Sequence, residues 1–176
     1  WLDTGRQPLP ISVNVSRTYL QKEDVAGYIK NLIDKYQIPM ELFQLEITET
    51  TENAESLSYI NSLKQAGFTL LMDDFGSGYS SLCMLKNTPF DVLKMDRQFL
   101  DECLDSKQGE TIISHVISMS NDLGLSIIAE GVENRGTADF LYDNGCSVSQ
   151  GFYFSKPVPI PEFEHMLDEQ QTEQQR

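Results

Sequence analysis

Hydrophobic and polar positions along the chain fall into two alternating textures. Short apolar or β-branched runs occupy residues 11–15, 43–47, 68–72, 92–95, 126–129 and 149–154, and each reads as a strand. Longer stretches with helical period separate most of them. The spacing predicts a helix over residues 22–36, with Val25, Ile29, Leu32 and Ile33 on one face. A second is expected over 54–66, with Leu57, Ile60 and Leu63 inward and Gly67 closing it. A third is expected over 111–123, where Ile112, Ile113, Val116, Ile117 and Leu123 make a broad stripe before Gly124. Pro161 suits the first turn of a last helix that carries Phe163, Met166 and Leu167. Residues 168–176 are polar and repetitive and are expected to fray or extend that helix. The body is therefore read as residues 1–167, and the rest as a polar tail.

Strand–helix–strand alternation implies an α/β fold with parallel strands and right-handed crossovers. Such strands build either an open sheet or a closed barrel. The Gly-rich dinucleotide loop and the P-loop are both absent after the first strand, which weakens the open-sheet dinucleotide reading. A barrel distributes its chemistry over the ends of many strands. Each expected strand does end in a polar or ionisable residue: Asn14, Glu46, Asp73 with Asp74, Lys94, Glu130 and Gln150. If the strands are parallel neighbours, all six ends share one rim.

Charge narrows the choice of partner. The formal net charge is −14, which argues against nucleic acid in bulk and against an anionic membrane surface. A small phosphate ligand remains compatible, because a bound cation inverts the local charge. Three widely spaced cysteines with no CxxC pair argue against a zinc ribbon and point to reduced thiols, hence a cytoplasmic domain. No apolar run is long enough to span a membrane.

Carboxylates gathered in one pocket must protonate or share a cation. Oxygen ligands from Asn, Asp and Glu suit hard Mg²⁺, Mn²⁺ or Ca²⁺ rather than zinc. Lys94 among them would hold an anionic substrate or a water. A solvated rim of salt bridges would use the same residues. The segment DDFGSGYSS, residues 73–81, adds Gly76 and Gly78, whose freedom at positive φ suits a loop that closes on a ligand. An ordinary turn capped by Ser80 or Ser81 is the plainer alternative. His115 and His165 read as structural or surface residues.

Six stretches together carry a family resemblance. They are VNVS (13–16), LEITET (45–50), DDFGSGYSS (73–81), LKMDRQF (93–99), AEGVE (129–133) and QGFYFSKP (150–157), in this order. The chain resembles the EAL domain of bacterial cyclic diguanylate phosphodiesterases. That resemblance implies a (β/α)8 TIM-like barrel and metal-dependent hydrolysis of cyclic di-GMP to linear pGpG. It implies Mg²⁺ or Mn²⁺ as cofactor. By motif, Asn14, Glu46, Asp73 and Asp74 look like metal ligands, and Glu130 and Lys94 like the catalytic base and lysine. Glu49, Glu133, Gly76 and Gly78 look like supports of the loop and site, and Gln150 like a substrate contact.

The family's signature Glu-Ala-Leu segment does not occur in this sequence. The resemblance places it upstream of the VNVS strand, so the chain is expected to begin after it, with about six of eight strands present. An upstream sensory or GGDEF domain and a homodimer are partners the resemblance makes plausible. The helix over 111–123 is then either a dimer face or, as favoured here, a stripe turned toward the barrel. A receptor that binds cyclic di-GMP without cleaving it, or a protein-interaction domain, is the alternative to the enzyme.

Overall fold

A computed structural model describes residues 1–16, 24–48, 54–76 and 81–174 of the chain. Six strands form one sheet: β1 Ile11–Asn14, β2 Phe43–Thr48, β3 Thr69–Phe75, β4 Val92–Met95, β5 Ser126–Ala129 and β6 Val148–Ser149. Every neighbouring pair is parallel, and the spatial order equals the chain order. Among the described residues seven α-helices connect or flank them: α1 Val25–Lys35, α2 Ala54–Gln65, α3 Ser81–Asn87, α4 Arg97–Leu104, α5 Lys107–Asp122, α6 Arg135–Asp143 and α7 Ile160–Gln174. The result is a six-stranded half-barrel, with β1 and β6 at its two edges among the described residues.

Alternation along the strands separates two faces. Leu45, Ile47, Leu70, Met72, Leu93, Met95, Ile127 and Ala129 turn toward the helices and are at most 5% exposed. They pack in one core with Ile33, Ile60, Leu63, Leu100, Ile113, Ile117 and Leu141. Each of these Leu, Ile and Met side chains stabilises the fold by roughly 1.5–3 kcal/mol through burial. The opposite face carries the polar positions.

Local signals explain the helix starts. Asp24, Asp96, Ser106 and Asn134 each accept a hydrogen bond from a backbone N–H of the first turn they cap. The stripe expected over 111–123 is turned inward only in part: Ile113 and Ile117 are fully buried, whereas Ile112 and Leu123 are exposed.

Two expectations need correction. The run 149–154 is not a strand beyond Ser149. After Gln150 the chain turns, with the N–H groups of Phe154 and Ser155 donating to Gly151 O and that of Tyr153 donating to Val132 O. Phe152, Tyr153 and Phe154 are consequently exposed, so their apolar texture does not report a buried strand. The long interval before Glu130 holds two helices, because α4 precedes α5. At two turns, α4 is too short to register as a period.

The first residues fasten to the last helix. Trp1 stacks on Phe163 and donates its indole N–H to Glu164 at 2.6 Å. Arg6 pairs with Glu164 at 2.9 Å and with Asp168 at 3.0 Å. Among the described residues no helix is long and apolar enough to cross a membrane.

Candidate active site

Parallel strands in sequential order put their C-terminal ends on one rim, where Glu46, Asp73, Asp74, Lys94, Glu130 and Gln150 converge. Lys94, on β4, is 5% exposed. Its Nζ lies 2.8 Å from Glu46, 2.8 Å from Asp73 and 2.7 Å from Glu130. An ammonium has three donors, so three carboxylates saturate it. Burial works against its charge, but the bonds to Asp73, Glu130 and Glu46 outweigh that and raise its pKa.

Each carboxylate has a distinct environment. Glu46 also accepts from Ser12 Oγ at 2.5 Å. Burial favours its protonation, yet the bonds from Lys94 and Ser12 win and hold it below the ordinary range. Glu130 accepts on Oε1 from Lys94 and from Gln150 Nε2, the latter at 2.6 Å. Burial pushes its pKa up, only partly offset by Lys94. Asp74 is pushed up by burial and then by the charge of Asp73.

Asp73 and Asp74 meet Glu130 because β3 is irregular. Neighbouring residues of a regular strand point to opposite faces. The β3–β4 register shifts between Met72 and Phe75, and Asp74 has φ +58°. Aspartate tolerates this left-handed conformation better than most residues. One oxygen each of Asp73, Asp74 and Glu130 then lie within 4.8 Å of one another.

Four carboxylates and a single lysine gather here, and burial first, then the neighbouring acids, raises the pKa of Asp74 and of Glu130. A hard divalent cation fits this all-oxygen donor set. Asn14 ends β1 in register with Glu46, at an exposed edge position. Glu133 stands apart from the lysine cluster and pairs with Arg97 at 2.6 Å. Gly76 follows β3 with φ +99°. Glu49 and Gly78 lie outside the described residues. His115 is bonded to Thr111 O on its own helix, and His165 pairs with Glu169, so neither joins the cluster.

A cavity of about 550 Å³ adjoins the rim, lined among others by Gln150, Glu133, Arg97, Phe152 and Lys156. A larger one of about 860 Å³ lies at the other end of the strands, between Trp1, Ile11, Phe43 and Phe163, away from the acids. Two residues that bond expected site residues, Ser12 to Glu46 and Arg97 to Glu133, are not among those expected from the sequence. Ser12 is two positions before Asn14 and so shares its face, a signal that strand period could have supplied. Arg97 carries no such signal, since only the fold brings it to Glu133.

Fold and rim define a (β/α)-barrel domain with an acidic centre at the C-terminal ends of its strands. The EAL domain family model matches residues 1–157. The chain belongs to the EAL domain family. It is 36% identical to the cyclic di-GMP phosphodiesterase RocR of Pseudomonas aeruginosa, over 92% of this chain and 41% of RocR. The EAL domain of Mycobacterium smegmatis DcpA superposes with a TM-score of 0.84 at 32% identity, covering 91% of this chain and 73% of that one. Klebsiella pneumoniae BlrP1, in a manganese and cyclic di-GMP complex, gives a TM-score of 0.79 at 28% identity, over 89% and 41% of the two chains. The chain spans about a fifth to two-fifths of the length of the curated relatives it matches.

Proposed function

We propose that this domain hydrolyses one phosphodiester bond of cyclic di-GMP, giving linear pGpG, with Mg²⁺ or Mn²⁺ as cofactor. The observation that carries the reading is the set Asp73, Asp74 and Glu130, brought together at the strand ends beside Lys94. Family membership and the activity named for RocR support the substrate. The complex of BlrP1 supports the cation.

Asp73 and Asp74, with Glu46 and Asn14, are the residues assigned to hold the cation. Bound there, a divalent cation would supply Lewis acidity toward water and toward the phosphate oxygens. Glu130 acts as general base. Its Oε1 is held by Lys94 and Gln150, so we assign Oε2 as the oxygen that takes the proton from water. The water oxygen bonds to phosphorus as the bond from phosphorus to the ribose 3′ oxygen breaks; that oxygen takes a proton from solvent, and Glu130 then returns the proton it took to solvent, so none is gained or lost overall. Lys94 stays protonated through the neutral range, orients three carboxylates and contributes positive charge near the phosphate. The adjoining cavity has a size usual for small-molecule sites, roughly 300–1,000 Å³, and Gln150 at its edge is assigned a substrate contact. Glu49, Glu133, Gly76 and Gly78 are assigned to support of the loop and site.

The test is Glu130→Gln, which keeps the shape and removes the base. Turnover is expected to fall at least about 100-fold, while binding of cyclic di-GMP in the presence of Ca²⁺ persists. Undiminished turnover would refute the role of Glu130. Tight binding without product in the unaltered protein would replace the enzyme by a receptor.

A further inference from the structure

The first turn of α4 touches both the end of β3, which carries Asp73 and Asp74, and the segment that begins at Glu130 after β5. At its cap, Asp96 N–H donates to Phe75 O at 3.2 Å, and the preceding Met95 O accepts from Glu130 N–H at 3.0 Å. Side chains repeat this double contact. A Cβ built on Gly76 would lie 2.5 Å from Cγ of Phe99, and one built on Gly131 would lie 2.4 Å from Cγ of Arg97. Phe99 also meets Phe75 edge to face, with ring centroids 6.0 Å apart. Arg97 reaches on to Glu133 at 2.6 Å and is tied to Asp101 of its own helix at 3.3 Å. Both glycines have positive φ, +99° and +67°. Gly76, two residues after Asp74, and Gly131, next to Glu130, therefore each rest their backbone on a side chain of the same helical turn.

We propose that Phe99 and Arg97 are positioning residues that set the separation of Asp73 and Asp74 from Glu130. Phe99 seats the backbone at Gly76, just after the aspartates, and Arg97 seats the backbone at Gly131, just after Glu130. Because one rigid turn carries both, a shift of either loop changes the spacing of the carboxylates. Neither residue touches the lysine cluster directly, so each acts through a loop. Misplacement by about 1 Å is enough to lower a rate roughly 100-fold. The kinetic readout rests on the phosphodiesterase reading, whereas cation affinity tests the positioning independently of it.

The experiment compares Arg97→Ala, Phe99→Leu, Phe99→Ala, Gly131→Ala and the double variant Gly131→Ala/Arg97→Ala. It measures kcat and KM with cyclic di-GMP, Mn²⁺ affinity by electron paramagnetic resonance, and folding by circular dichroism. Arg97→Ala and Phe99→Ala are expected to lower kcat or Mn²⁺ affinity about 10–100-fold, with KM within about twofold. Phe99→Leu, which keeps the apolar contact, should recover most of the loss. An alanine at Gly131 displaces Arg97, so the double variant should lose no more than the worse single variant. Values of kcat and Mn²⁺ affinity within about twofold of the unaltered protein in both alanine variants would overturn the proposal. So would losses that multiply in the double variant. If Phe99→Ala does not fold, Arg97→Ala decides, because that side chain is half exposed. If the unaltered protein binds Mn²⁺ but makes no product, the phosphodiesterase reading fails and Mn²⁺ affinity alone judges the positioning. If it neither binds nor hydrolyses, both fall.

Discussion

Replacing Lys94 by methionine keeps an unbranched side chain and removes the ammonium. Lys94 is 5% exposed, and its ammonium bonds three carboxylates at 2.7–2.8 Å. Hydrogen bonds to charged groups contribute about 1.5–3 kcal/mol each, but the buried charges lose hydration in forming them. Removing one partner from a buried ionic set costs about 3–5 kcal/mol, because the remaining charges stay uncompensated. We expect Lys94→Met to lose about that much stability near pH 8 without divalent cation. The sign of the pH dependence follows from the shifts. Lys94 is raised, so its contribution is fully present below its unfolded value of 10.5 and is lost only as pH rises through the folded value. Glu46 is lowered, so its share is present above its unfolded value and lost as pH falls through the folded one. In the methionine variant the carboxyl groups take up protons instead, so the deficit should shrink as pH falls toward about 5. Urea denaturation followed by circular dichroism at both pH values measures it. A deficit under about 1 kcal/mol, or one equal at both pH values, would refute the reasoning.

The clustered acids predict a linkage between cation and pH. Asp74 and Glu130 are raised, chiefly by burial, so their contribution to stability is present below their unfolded values and is lost as pH rises through the folded ones. Mn²⁺ should therefore raise the Tm more at pH 8 than at pH 5, and an equal or reversed shift in scanning calorimetry would contradict the shared site. Gly109 gives a contrast remote from the acids: a Cβ there would lie 1.8 Å from the Cys103 carbonyl oxygen, which is backbone and cannot swing aside. Gly109→Ala should cost about 1–3 kcal/mol in urea denaturation, and unchanged stability would count against that close approach of α4 to α5.

Buried parallel strands were the most legible part of the fold. Residues 92–95 and 126–129 read as apolar runs and are strands with those bounds, because a strand covered by helices must be apolar on one face and its neighbours set the other. The run 149–154 misled for the converse reason: aromatic side chains there sit on an exposed turn. Helices α4 and α6 were missed, since eight or nine residues carry too little period to stand out. Of the site, the strand-end positions were readable because a parallel sheet sends them all to one rim. Their pairing was not. That Lys94 takes three carboxylates, and that Asp74 turns through positive φ to join Asp73, depends on register and a local irregularity in β3. The contact of Arg97 with Gly131 and Glu133 joins residues more than thirty positions apart, which no local pattern encodes.

The most direct measurement incubates the purified protein with cyclic di-GMP and Mn²⁺ in heavy-oxygen water and identifies the product by mass spectrometry. The expected product is pGpG with one heavy oxygen on its terminal phosphate, formed only with divalent cation and lost in Glu130→Gln. Absence of pGpG from folded, Mn²⁺-loaded protein, or its formation unchanged in Glu130→Gln, would contradict the phosphodiesterase reading.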